Sequence, residues 1–174
     1  MADAAVCHEE VTDAEGMLGP CDRPAVARRL DPEDGHTYPV CPKHAVGPLR
    51  IQQRRTKGWR KPRDTVSVAR PSKWGNPVRI VAVRPSGPFD LERDGVGFIG
   101  QHTDIGSARA SAARRYRDLV LLGLAPSAED IRTALAGKTL MCWCPLDQPC
   151  HADVLLELAN GTARAGARGG DVGS

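Results

Sequence analysis

Three cysteines and a histidine crowd into ten residues near the end of the chain: Cys142, Cys144, Cys150 and His151, with Asp153 close behind. Thiolates and imidazole are the ligands zinc prefers, and thiolates are also nucleophiles. Three chemistries compete for this set. In one, Cys142, Cys144 and Cys150 hold a zinc ion while His151 points elsewhere, leaving an open coordination position of the catalytic kind. In another, Cys150 is a nucleophile with His151 and Asp153 as acid/base partners. In the third, the cysteines are small apolar residues, His151 caps a helix and Trp143 fills the core.

The flanks say how such residues would be placed. Lys138 to Met141 reads as a short buried strand, and Ala152 to Asn160 as a helix with Gly161 just past its end. Cys150 then lies at the helix N-terminus, where the dipole favours a thiolate by about 0.3–1 kcal/mol and free N–H groups attract anions. In Cys142-Trp-Cys144 the two sulfurs share one face of an extended strand end.

A second chemistry-bearing stretch is Arg70-Pro-Ser-Lys-Trp-Gly-Asn-Pro77. Two prolines and a glycine exclude regular structure. Arg70, Ser72 and Lys73 could hold phosphate, Trp74 could stack on a planar ring, and Asn76 could read its edge. The structural alternative is a tight turn in which Trp74 plugs the core and Asn76 caps the backbone. His102 suits a solvent-exposed turn, and Asp147 a turn inside the cysteine loop.

A third group lies at the start. Cys41-Pro-Lys-His44 has the two-residue spacing with which one turn aims a sulfur and an imidazole at the same ion; Cys7 and Cys21 complete four zinc ligands, with His8 as a rival. Residues 1–48 hold too few large apolar side chains to fold unaided, so a structural zinc would supply the missing stability.

The elements between these groups form the frame. Thr65 to Ala69 and Val78 to Val83 read as strands, Pro85 to Gly97 as turns, and Val96 to Ile99 as a short edge strand. Ser107 is the expected N-cap of a helix to Leu122, and Ser127 that of a short helix ending at Gly137. The expected architecture is α/β: a small layered sandwich with a short mixed sheet and about three helices, preceded by a Cys/His zinc-binding arm. Its parts are a zinc-finger-like module (1–48), a basic linker (49–64), the α/β domain (65–160) and a disordered tail (161–174).

The bulk properties limit the function classes. In 174 residues, 41% are hydrophobic and the net charge is +3, so one domain with a real core is affordable. Between Lys43 and Lys73 stand ten Lys/Arg against one acid, Asp64, a block suited either to phosphates or to a solvated linker. An acidic N-terminus without an apolar h-region, and no run of membrane-spanning length, lead to the expectation of a cytoplasmic protein with no membrane partner. Six cysteines there are thiols or ligands rather than disulfides.

Taken together, Arg70 to Pro77, a Tyr116-containing helix, Gly137-Lys-Thr-Leu-Met-Cys-Trp-Cys144 and Cys150-His-Ala-Asp-Val-Leu155 closely resemble the domain of unknown function 4326 family, found in phages and bacteria. The resemblance covers about residues 65–160 and implies a fold unit and two motifs, but no reaction. The zinc-like arm is an addition to it, and Pro85 to His102 looks like a variable insert. The arm itself, through Cys21-Asp-Arg-Pro-Ala25 and Tyr38-Pro-Val-Cys-Pro-Lys-His-Ala45, is similar to zinc-finger-like modules of actinobacterial and phage proteins. Two functions are therefore expected to compete. One is an enzyme-like domain binding a nucleotide, nucleobase or other phosphorylated ligand at the cysteine-rich site. The other is a non-enzymatic nucleic-acid-binding or adaptor protein with structural zinc.

Overall fold

A computed structural model describes residues 6–12, 16–31 and 33–161; the tail expected from 161 onward lies outside this range beyond Gly161. In chain order the elements are β1 (Glu10–Thr12), β2 (Leu18–Pro20), β3 (Ala27–Leu30), β4 (Thr37–Val40), β5 (Leu49–Gln52), β6 (Thr65–Ser67), β7 (Val78–Ala82), β8 (Phe89–Arg93), β9 (Gly97–His102), α1 (Ile105–Leu121), α2 (Ala128–Leu135), β10 (Thr139–Cys142) and α3 (His151–Asn160). The fold is α/β with three helices and a mixed sheet, as expected, and the Cys/His group stands near the N-terminus.

The main sheet runs β4-β3-β5-β10-β6. β10 is parallel to both β5 and β6, whereas β3 is antiparallel to β5 and β4. This order corrects the expected division at residue 49. Leu49 to Gln52 is not linker but a central strand, and the arm's β3 and β4 continue the sheet of the α/β domain. The alternation that marks β5 was hidden because its inward residue is Arg50, a cation that is completely buried. Only residues 53–64 remain as a connection.

A second sheet, β7-β8-β9, is an antiparallel meander. Pro85 to Gly97, expected as turns, instead contains the strand β8, while the edge strand expected at Val96 to Ile99 overlaps β9. β8 escaped notice because Phe89-Asp-Leu-Glu-Arg93 buries only Leu91 completely. α1 packs on this sheet and on α3; α3 in turn packs on the main sheet and on α2.

The central core joins Val68, Trp74, Tyr116, Ile131, Leu135, Leu140, Leu155 and Leu156. The N-cap of α1 is Asp104 rather than the expected Ser107; the Asp104 carboxylate accepts from the Ser107 N–H, and the Ser107 hydroxyl turns back onto Asp104. Ser127 caps α2 as expected. No described helix is long and apolar enough to cross a membrane.

Candidate metal and ligand site

The arm gathers its four ligands through backbone pairing. The Cys7 N–H donates to Arg23 and the Cys21 N–H to Glu9, which sets the two thiols side by side across the β1–β2 ribbon. After β4, the His44 N–H donates to the Cys41 carbonyl and closes the expected turn. The Cys7 and Cys41 sulfurs lie 3.3 and 3.6 Å from His44 Nδ1, and the Cys21 and Cys41 sulfurs lie 3.9 Å apart. All four donor atoms are within 4.8 Å of one another, compatible with a bound metal. His8 is not among them: its ring stacks on Tyr38 at 4.3 Å. Among the described residues, Ala27 and Val40 are the fully buried apolar neighbours of these thiols, and Val11, Ala45, Leu49 and Ile51 pack against them partly buried. Burial would raise the Cys41 thiol, yet N–H groups of His44 and Lys43 and the neighbouring Cys7 and Cys21 thiols bring it below its ordinary value. For Cys21 the Arg23 backbone contact pulls down, but burial and the Cys41 and Cys7 thiols win and the net shift is upward.

The second cluster stands where β10 ends and α3 begins. Cys150 is the N-cap of α3; its sulfur accepts from the Ala152 N–H at 3.4 Å, and its own N–H donates to Asp153 Oδ2 at 3.2 Å. The Cys142 and Cys144 sulfurs are 3.8 Å apart, and the Cys150 sulfur is 3.7 Å from His151 Nδ1. Cys142, Cys150 and His151 bring donor atoms within 4.8 Å of one another, also compatible with metal. His151 thus faces the thiols instead of pointing away. The Cys142 and Cys144 thiols, then the Arg50 charge and the Ala152 N–H, hold Cys150 well below the ordinary thiol range against the effect of burial. The same proximity pushes Cys144 up, through Cys142, Cys150 and burial.

Asp153 faces the other way, which corrects its expected place as an acid/base partner of Cys150. Its Oδ1 is 3.0 Å from Arg50 Nε, 3.8 Å from Arg28 Nε, and accepts from the Thr37 hydroxyl at 3.0 Å. Burial raises its carboxyl, and Arg50 and Arg28 pull it back. Arg50 further donates to the carbonyls of Pro145, Leu146 and Gln148 at 3.2, 3.0 and 3.2 Å, and Arg28 reaches Leu146 at 3.2 Å. These two arginines hold the cysteine loop from beneath. No spacing rule marks them; the one available signal was a lone basic residue inside Leu49-Arg-Ile-Gln52.

A cavity of about 240 Å³ opens beside the second cluster. Cys142, Cys144, Cys150 and His151 line it together with Arg70, Asn76, Arg109 and Trp143. The proline-bracketed loop and the cysteine loop therefore meet at one cleft. The other residues of the former loop take different roles. Trp74 is core, 5% exposed, with Lys73 Nζ 4.3 Å above its ring and its carbonyl accepting from the Tyr116 hydroxyl at 3.0 Å. It cannot serve as a stacking platform, and neither Lys73 nor Ser72 lines the cavity. Asn76 spends both ends of its amide on backbone, donating to Ala112 and accepting from Val78, so it anchors the loop to α1 rather than reading a ligand edge. Gly75 lets the loop fold back: a Cβ there would lie 2.6 Å from Arg70 Cγ.

In place of Trp74 the aromatic at the cleft is Trp143, 39% exposed, with the Arg55 guanidinium 4.8 Å over its ring. The Arg109 side chain makes no hydrogen bond or ion pair among the described residues, and the residue is half-buried in the cleft wall. His102 ends β9 opposite Phe89, outside this cleft, and Asp147 is exposed.

Burial lifts the Tyr116 hydroxyl to about 12, so it remains a donor to Trp74 throughout the neutral range. Tyr116→Phe is expected to cost about 1–2 kcal/mol in denaturant unfolding, because the buried Trp74 carbonyl loses its partner, while ligand binding in the cleft is unchanged. A loss below experimental error would mean that water replaces the hydroxyl.

Residues 51–161 match the model of a family described as a domain of unknown function (DUF4326). No curated protein and no solved structure matches the chain.

Proposed function

The chain belongs to the family described as domain of unknown function (DUF4326), and on that footing we propose that it is a zinc-binding protein whose enzyme-like α/β domain takes a nucleotide or other phosphorylated ligand in the cleft beside Cys150. The observation that carries the reading is the meeting of Arg70, Arg109 and Trp143 with two buried cysteines and a histidine around one cavity. Guanidiniums suit phosphate oxygens and an exposed indole suits a nucleobase. An arginine without a protein partner is available for an anion at little cost to the fold.

Zinc is the ion that the arm suits. Zinc–sulfur bonds of about 2.3 Å and zinc–nitrogen bonds of about 2.0 Å at tetrahedral angles separate neighbouring donors by about 3.5–3.8 Å. The donor separations of 3.3, 3.6 and 3.9 Å bracket that range. Three cysteines and a histidine form a closed structural set, and its role is to stabilise an arm whose own core is small.

The competing adaptor reading would gain from one exposed basic face joining Arg50, Arg54, Arg55 and Arg60 to Arg114 and Arg117. Arg50 is buried against Asp153, Arg55 lies on Trp143, and Arg117 pairs with Glu157. Arg54, Arg55 and Arg60 stay exposed, but without Arg50 and with Arg117 paired the face is not continuous, which favours a small ligand over a nucleic-acid surface.

The test is a calorimetric titration with nucleoside mono-, di- and triphosphates and inorganic phosphate, followed by tryptophan emission. Arg109→Ala should weaken a nucleoside phosphate about tenfold or more, since it removes a charge-assisted contact and no protein partner. Trp143→Ala should weaken nucleotides and leave inorganic phosphate unaffected. Unchanged affinity in Arg109→Ala, or binding only to long nucleic acid with a steep salt dependence, would transfer support to the adaptor reading.

A further inference from the structure

The cleft holds a feature that goes deeper than an anion cradle, and it rests on the reading just given. His151 Nε2 lies 2.9 Å from the Val68 carbonyl. A carbonyl only accepts, so Nε2 carries the hydrogen, and in the neutral ring Nδ1 is left with its lone pair. That lone pair faces Cys150 at 3.7 Å. Metal-bound histidines are oriented by such a contact, one ring nitrogen donating to a carbonyl while the other meets the ion. Two further constraints hold the ring: the Val68 N–H is tied to Met141 at 2.9 Å, and Tyr116 meets the imidazole edge-on with centroids 5.4 Å apart.

We infer that Cys142, Cys150 and His151 Nδ1 form a second site for a soft divalent cation of the zinc type. Its fourth position opens into the cleft and takes an anionic oxygen of the ligand. The three donors are buried and mutually close. Cys144 lies at the edge of that set: half-buried on the cleft wall, its sulfur is 3.8 Å from Cys142 and close to Cys150, but it does not belong to the group whose donors all lie within 4.8 Å of one another.

Charge counting agrees with an anionic occupant. A dication with two thiolates and a neutral imidazole is neutral overall. Arg70 and Arg109 then leave the cleft positive, and no carboxylate is among its lining residues. Arg70 is shared with Asp94 at 3.5 Å, but both are exposed and that pair is screened, whereas Arg109 is unshared among the described residues. A phosphate or carboxylate of the ligand would complete both the coordination shell and the charge balance. Three protein ligands and one exchangeable position is the arrangement of a catalytic rather than a structural zinc.

The experiment uses the full chain purified with zinc. Two metals per chain are expected in the wild type. Cys142→Ser, Cys150→Ser and Cys41→Ser should each retain one, and Cys144→Ser should retain both. Wild-type protein given one equivalent of zinc, which the closed arm takes first, and then cobalt isolates the second site. Its sulfur-to-cobalt absorption should have the intensity of two thiolates, and inorganic phosphate should shift its visible bands. Arg109→Ala should raise the phosphate concentration needed for that shift about tenfold.

One metal per chain in the wild type, lost in Cys41→Ser, would overturn the inference. So would loss of one metal in Cys144→Ser together with three-thiolate intensity, which would make the site closed. Should Cys150→Ser fail to fold, the cobalt spectrum and the Cys144→Ser protein decide alone. Nucleotide binding by a one-metal protein would refute the second site and leave the phosphorylated-ligand reading standing. Two metals with no nucleotide or phosphate response would do the reverse for the ligand and remove the open-position assignment.

Discussion

Replacing Arg50 by methionine should lower stability by about 3–5 kcal/mol, the usual cost of removing one partner from a buried ion pair. Arg50 is fully buried, and its guanidinium meets Asp153 at 3.0 Å and three carbonyls of the cysteine loop. Methionine matches the volume of the stem but leaves those carbonyls without a donor and takes one cation from the half-buried Asp153 carboxylate. Lysine should recover only part of the loss, since an ammonium on a flexible stem cannot reproduce a planar fork. The effect should also reach the thiol. Cys142 and Cys144 are the main influences lowering Cys150, with Arg50 contributing by its charge. Arg50→Met should therefore raise the pH at which iodoacetamide alkylates metal-free Cys150, while Tyr116→Phe should not. Denaturant unfolding and the alkylation profile check both parts. A loss under about 1 kcal/mol with an unmoved profile would show that the bridge is dispensable.

That Arg50 carries so much weight was not legible in the chain. Sequence patterns report apolar periodicity and turn chemistry, and these found β6, β7, β10, α2, α3 and the thiol groups, because each is marked by local residue types. They fail where a buried position is filled by a charge whose partner lies about a hundred residues away. Arg50 looked like one member of a basic run; Asp153 looked like a helix-start acid beside a nucleophile. Only the parallel pairing of β5 with β10 puts the two in contact. The same holds for the tryptophans. Trp74 sits in a loop built of binding-type residues, yet the loop folds inward and buries the indole, while Trp143 lies between two cysteines and points out. Which of two aromatics faces solvent depends on how a loop packs, and no local signal encodes that. The convergence of Cys7, Cys21, Cys41 and His44, in contrast, was readable from identity and spacing, because a metal-compatible set constrains both.

The largest expected effect follows from how the arm is joined to the rest. Structural zinc in small modules is worth about 10–16 kcal/mol of folding free energy, as much as the total stability of an ordinary domain. With Ala27 and Val40 fully buried beside it and Val11, Ala45, Leu49 and Ile51 only partly buried among the described residues, the Cys7, Cys21, Cys41 and His44 group cannot replace that sum by packing. Cys41→Ser should therefore unfold the arm at room temperature. The consequence should not stop at residue 48. β3 lies between β4 and β5, Thr37 and Arg28 bond to Asp153, and Arg28 also holds the Leu146 carbonyl. Losing the arm removes these contacts and exposes one edge of β5, so Arg50 loses the wall that keeps it dry. Hydrogen exchange followed by mass spectrometry should show faster exchange in Cys41→Ser over residues 27–52 and also over the cysteine loop, 143–149. The β7–β9 meander, which packs on α1 and not on the arm, should keep its protection. Metal should be kept in the buffer throughout, so that the second cluster is not stripped and the difference reports the arm alone. If loss of protection stays within residues 6–48, the arm is an independent appendage and the shared sheet contributes nothing to the cysteine loop. If it spreads as described, the proposed zinc of the arm sets the geometry of a cleft that the Cys7, Cys21, Cys41 and His44 group does not line.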